Sequence, residues 1–254
     1  ETDPRAAFMI SNRFADDKVG VLFSAAFSER TVRQEGFGTV RWTTPVRDGG
    51  GIFADTSDTV VNGTPDVGNY EFQGESVDPI NCLWTPRLPR PDYFGNDQER
   101  TGFTGSIQWA ATDNFTLTLD GLVSKLDNTR TMYNFFHMFR STFSEITPTS
   151  ITVHPNGKQV LAGSYDGIKS RIESRLQEST TDFSQFVISG EWFIGENIKL
   201  DMMAGTAESD ARSEQYRYNM TLLEETSYGF DFSNNINAPQ LTYGYDVNDA
   251  SNYN

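Results

Sequence analysis

The chain has 254 residues, enough for one large β domain or two domains of ordinary size. Only 37% of them are hydrophobic, and no run approaches the roughly 18 apolar residues of a transmembrane helix, which excludes that way of crossing a bilayer and leaves strands open. Twenty Lys and Arg against 35 Asp and Glu give a net charge of −15, which argues against nucleic-acid binding, because phosphate contact needs a basic surface.

Taken in chain order, the strongest signal is alternation with a period of two. Phe8 and Ile10 alternate with Met9 and Ser11 over a short stretch. From Val19 the odd positions read Val19, Val21, Phe23, Ala25 and Phe27, against Gly20, Leu22, Ser24, Ala26 and Ser28. Phe103, Gly105, Ile107 and Trp109 alternate with Thr104, Ser106 and Gln108. Phe115, Leu117, Leu119, Gly121 and Val123 follow, against Thr116, Thr118, Asp120, Leu122 and Ser124. Weaker patterns run through Phe186, Ile188, Gly190 and Trp192 and through Ile198, Leu200, Met202 and Ala204. Polar or Gly-containing turns at 15–18, 110–114 and 194–197 join these strands into predicted hairpins over 6–32, 99–128 and 180–212.

Connections between the hairpins are far longer. About 65 residues separate Val32 from Glu99 and about 50 separate Asn128 from Asp182. Such alternation of short and long links is that of an antiparallel transmembrane β-barrel, with short periplasmic turns and long extracellular loops. Aromatics recur at the turns: Phe14 before the first, Trp109 and Phe115 around the second, Trp192 and Phe193 before the third. At that depth they form a membrane-interface girdle. Eight steps of about 3.3 Å from Val19 to Phe27, tilted by about 40°, rise roughly 20 Å, close to the roughly 25 Å apolar band of such barrels. The outward face turns polar at Glu29 and Lys125. Residues 30–42 and 169–180 read as polar extensions of strands, 150–162 as a small hairpin around His154–Lys158, and 228–232 and 241–245 as further strands. Gly167–Gln177 is the nearest approach to a helix.

At this point the chain resembles a TonB-dependent receptor, closest to the branch typical of Caulobacter- and Xanthomonas-like bacteria. The matching stretches are FMISNRFADDKVGVLFSAAFSERTVRQEGFGTVRW at 8–42 and RPDYFGNDQERTGFTGSIQWAATDNFTLTLDGLVSKLDNTR at 90–130. The resemblance implies an all-β, roughly 22-stranded barrel in the bacterial outer membrane, filled by a plug. It further implies a small nutrient ligand held at the extracellular loops and imported with energy delivered by TonB. Residues 1–254 are then expected to be a partial barrel domain without the plug or the TonB-contacting segment, and without a signal peptide.

Import of this kind needs no covalent chemistry. The sequence holds no Gly-x-Ser-x-Gly elbow, no His-Glu-x-x-His and no P-loop, so neither an enzyme nor a bound cofactor is expected. With one cysteine, Cys82, and two histidines, His137 and His154, no metal site is expected. Gly49–Gly51 reads as a flexible loop, and Asp246, Asn248 and Asp249 as a solvated acidic loop. The candidate ligand residues are Trp42, Trp84 and Tyr93, whose rings can stack on sugars, with Arg87, Arg90 and Asp92 to bond hydroxyls. A carbohydrate is the favoured ligand and a ferric siderophore the next. Another outer-membrane barrel, a porin or adhesin, and a soluble secreted β-rich glycan-binding protein are the competing expectations.

Overall fold

A computed structural model describes residues 3–254. The chain is all-β, with fourteen strands and short 3-10 turns but no α-helix among the described residues. In order the strands are β1 (Arg5–Phe14), β2 (Val19–Gly38), β3 (Trp42–Thr43), β4 (Val60–Asn62), β5 (Glu71–Phe72), β6 (Glu75–Ser76) and β7 (Thr85–Pro86). There follow β8 (Arg90–Thr112), β9 (Phe115–Met138), β10 (Thr147–Val153), β11 (Val160–Ile194), β12 (Ile198–Thr221), β13 (Thr226–Asp231) and β14 (Gln240–Tyr243). The expected extensions are present: β2, β8, β9 and β12 hold 20 to 24 residues and β11 holds 35, where about 9–11 suffice to span a bilayer.

The chain divides into two compact units, to both of which the long strands contribute. The first comprises the described part of 1–33 with Gly95–Thr131 and Leu176–Tyr216. Here β1, β2, β8, β9, β11 and β12 lie side by side in that order. The β1–β2 pairing is antiparallel and unbroken from Arg5↔Ser28 to Phe14↔Val19. Its turn is closed by Lys18 N–H donating to the Ala15 carbonyl at 3.1 Å. Ala15, Asp16 and Asp17 all have left-handed backbone, with φ of 56°, 53° and 66°; short aspartates tolerate that region better than branched residues do. The other turns are shorter than the sequence suggested: Asp113–Asn114 alone links β8 to β9, and 195–197 links β11 to β12.

The second unit comprises Gln34–Phe94, Met132–Arg175 and Arg217–Asn254. In it the start of β11 pairs with β10 on one side and β13 on the other, while β14 pairs with β13 and β4 runs parallel to β10. The predicted hairpin around His154–Lys158 and the two C-terminal strands are thus present. A core of Phe53, Ile80, Leu83, Phe139, Phe143, Ile146, Ile151, Tyr165, Tyr228 and Phe230, among others, holds this unit together.

The strand extension expected over 169–180 is present, and Gly167–Gln177, the nearest approach to a helix in the sequence, lies within β11. Gly167 has φ of +80° and interrupts the β11–β13 register between Tyr165 and Ile168, a glycine bulge that no helix accommodates cheaply. Gly49–Gly51 is not a free loop: Ser144 N–H donates to the Gly50 carbonyl at 3.0 Å, and a side chain at Gly50 would collide with the Ser141 backbone.

Candidate functional site: an apolar sheet face and a loop cavity

Among the described residues, the first unit contributes no side chain to the buried hydrophobic core, whose members belong to the second. Yet it is rich in large apolar residues. Their placement follows from strand pairing. Ile10 stands opposite Phe23 and Phe8 opposite Ala25. Phe23 stacks on Phe103 at 6.4 Å, and Phe115 meets Trp192 edge to face at 6.5 Å. Val21, Phe23, Ile107, Leu119, Phe186 and Ile188 line one apolar depression. These contacts join the apolar phase of all the alternating segments on one face. Phe8, Ile107 and Phe186 remain 58%, 48% and 57% exposed there.

The other face is polar. The Ser24 and Thr104 hydroxyls bond each other, and Gln108 donates to the Thr118 hydroxyl. Lys199 pairs with Glu191 at 3.0 Å and Asp201 at 3.3 Å. Of the aromatics expected to form a girdle, Phe14, Trp109, Trp192 and Phe193 are exposed beside turns and Phe115 is half-buried. Phe193 departs from its neighbour Trp192: it lies one position out of phase, and its ring receives the Lys199 ammonium at 5.7 Å, on the polar face.

The six candidate ligand residues do not converge on one site. Trp42 packs against Phe232, with ring centroids 5.6 Å apart, at the edge of the second unit's core. Tyr93 stacks on Tyr133 at 5.7 Å. Arg90 lies over the Phe136 ring at 5.1 Å, with its Nε 3.9 Å from Asp92. Trp84 is 40% exposed and lines a cavity of about 270 Å³ with Arg47, Asp66, Tyr70, Cys82 and Lys158. That is just below the usual range for small-molecule pockets. Burial pushes the Cys82 thiol pKa up, so it stays a neutral wall of the cavity.

Arg87 is structural. Its guanidinium bonds Asp48, whose side chain is fully buried and also accepts from Ser141 N–H at 2.8 Å. Removing one partner of a buried pair strands the other. Asp48→Ala is therefore expected to cost about 3–5 kcal/mol of stability, read as a lower urea midpoint for the second unit.

Sequence reasoning passed over two polar sites in that unit. One is His137, fully buried and stacked on Tyr228 at a centroid distance of 3.9 Å. The other is Glu173, buried among Arg171, Arg175 and Arg217. The second was partly visible, since Arg171, Glu173 and Arg175 fall on alternate positions of one polar stretch. Asp246 and Asp249 use their carboxylates to accept from Asn248 N–H and Ser251 N–H, and no metal-binding group of His, Cys, Asp and Glu occurs among the described residues.

Comparison with known proteins places the chain in no group: no family model matches it, and no curated protein is significantly similar.

Proposed function

We propose that this chain is a strand segment of an outer-membrane β-barrel, in a TonB-dependent receptor that takes up a small nutrient. The observation that carries the reading is the first unit's sidedness. A single sheet layer displays Phe, Ile, Leu, Val and Trp side chains on one face while burying none of them in a core. In water such a face is a penalty of roughly 25 cal/mol per Å² of apolar surface. Against hydrocarbon the penalty vanishes, and the polar face meets a wet lumen. The second unit, with its own core and its Trp84-lined cavity, is the proposed ligand-binding part. A carbohydrate is the first choice of ligand, because the aromatic wall of that cavity suits a sugar ring, and a ferric siderophore is the second.

Refolding from urea separates the membrane reading from a soluble one. With phosphatidylcholine vesicles the strands of the first unit are expected to become protected from protease, and without lipid or detergent the chain is expected to aggregate. A monodisperse, protease-resistant chain in plain buffer would overturn the proposal. Importer and porin then part on energetics: uptake by cells that collapses when the proton gradient is dissipated supports the importer, and gradient-independent flux supports a porin.

A further inference from the structure

The second unit contains a cluster of arginines that its own carboxylates do not balance. Glu173 on β11 is 3% exposed and accepts from Arg175 Nη2 at 2.7 Å. Arg171 approaches the same carboxylate at 4.0 Å and Arg217, on β12, at 3.8 Å. Beside them the buried ring of Phe136, on β9, carries two guanidiniums, Arg171 at 5.2 Å and Arg90 of β8 at 5.1 Å. Arg90 adds one further carboxylate, Asp92, at 3.9 Å, too far for a hydrogen bond. Four guanidiniums thus face two carboxylates, on a chain whose net charge is −15. The Nε–H groups of Arg90, Arg171 and Arg175 are sealed from solvent and find no acceptor in the protein.

A network that served folding alone would match each buried guanidinium with an acceptor, because a stranded charged donor is expensive. Here one buried carboxylate anchors the set and the ring of Phe136 fixes two of its planes. The side chains of Arg171 and Arg217 remain 36% and 45% exposed, so solvent reaches the cluster. Guanidinium forks held in fixed orientation match the paired oxygens of a carboxylate or phosphate. A local cationic excess within an acidic protein also selects among anions, since the surrounding field repels those that find no such contact.

We propose that Arg171 and Arg217, braced by Glu173 and Phe136, form a binding site for a small soluble ligand carrying an oxyanion group, carboxylate or phosphate. The site stands on its own geometry and holds whether or not the chain belongs to an importer.

Calorimetric titration of the detergent-solubilised protein with citrate and with inorganic phosphate, at low salt, tests this. Saturable binding is expected, and R171Q combined with R217Q should weaken it at least tenfold. Should that variant fail to fold, phenylglyoxal labelling of the unaltered protein gives an independent answer: citrate should protect Arg171 and Arg217 from modification. A third arm uses phosphatidylglycerol vesicles. Binding to neither citrate nor phosphate, equal binding by the double variant, absence of protection, or arginine-dependent binding to the vesicles alone would each overturn the proposal.

Discussion

Replacing Ile107 with arginine is expected to cost the protein about 2–4 kcal/mol in its folding into a lipid bilayer, while the same change at the adjacent Gln108 costs less than about 1 kcal/mol. Ile107 lies in the apolar depression with Phe23 and Leu119, whereas Gln108 donates to the Thr118 hydroxyl on the opposite face. Successive strand residues point to opposite sides, so the two substitutions place the same guanidinium on opposite faces of one strand. A guanidinium held against hydrocarbon near mid-membrane loses its hydration; one facing a wet lumen keeps it. Urea titration of folding into vesicles reads the difference directly. Equal effects at the two positions would remove the physical basis of the membrane reading. The contrast also does not depend on which ligand is carried.

Acid is expected to loosen the second unit through His137. That imidazole is wholly buried, stacked on Tyr228, with Tyr243 5.4 Å away and Nδ1 bonded to the Ser170 hydroxyl at 2.9 Å. The two phenols beside it carry no charge: burial pushes the Tyr228 phenol pKa well up and that of Tyr243 to about 12, so both stay neutral. Burial lowers the His137 pKa to about 3, from an ordinary 6.5. The unfolded chain therefore binds a proton between those values that the folded chain refuses. Stability contributed by the neutral ring is complete above about pH 6.5 and falls as the pH drops toward 3. At pH 5 the loss is about 2 kcal/mol, at 1.36 kcal/mol for each pH unit below the unfolded value. Unfolding of the second unit followed by tryptophan fluorescence at pH 7 and pH 5 measures it. His137→Phe keeps a ring on Tyr228 but cannot titrate, and should remove that part of the pH dependence. An unchanged slope in the variant would show that His137 is not the group responsible.

What could be read in the sequence divides along the same line as the two units. Phe23, Ile107 and Leu119 announce their common face because a sheet with chemically different sides imprints a period of two on each strand separately. Each strand carries that information locally, so no long-range contact had to be foreseen. The second unit obeys other rules. Arg87 meets Asp48 across 39 residues and Ser170 meets His137 across 33, and nothing in the local pattern of either partner announces the other. Trp42 looked like a ligand platform because it is aromatic and sits in a long connection; it is instead drawn against Phe232. Trp84, from the same connection, is 40% exposed. Residues 169–180 were legible as strand, but the bulge at Gly167 was not, because it depends on the register of β11 against β13.

The strands at the two margins of the first sheet carry a further implication. Among the described residues of that unit β1 is paired along β2 only, and β12 along β11 only. Each margin therefore offers a ladder of amide hydrogens and carbonyl oxygens facing outward, which water can solvate but acyl chains cannot. Immersion in lipid turns both margins adhesive, and the same grain that runs through the sheet dictates how they may be joined. A newcomer docking on β1 must bring its greasy positions level with Phe8 and Ile10; a slip of a single residue would thrust them into the wet side and leave charge among the lipid tails.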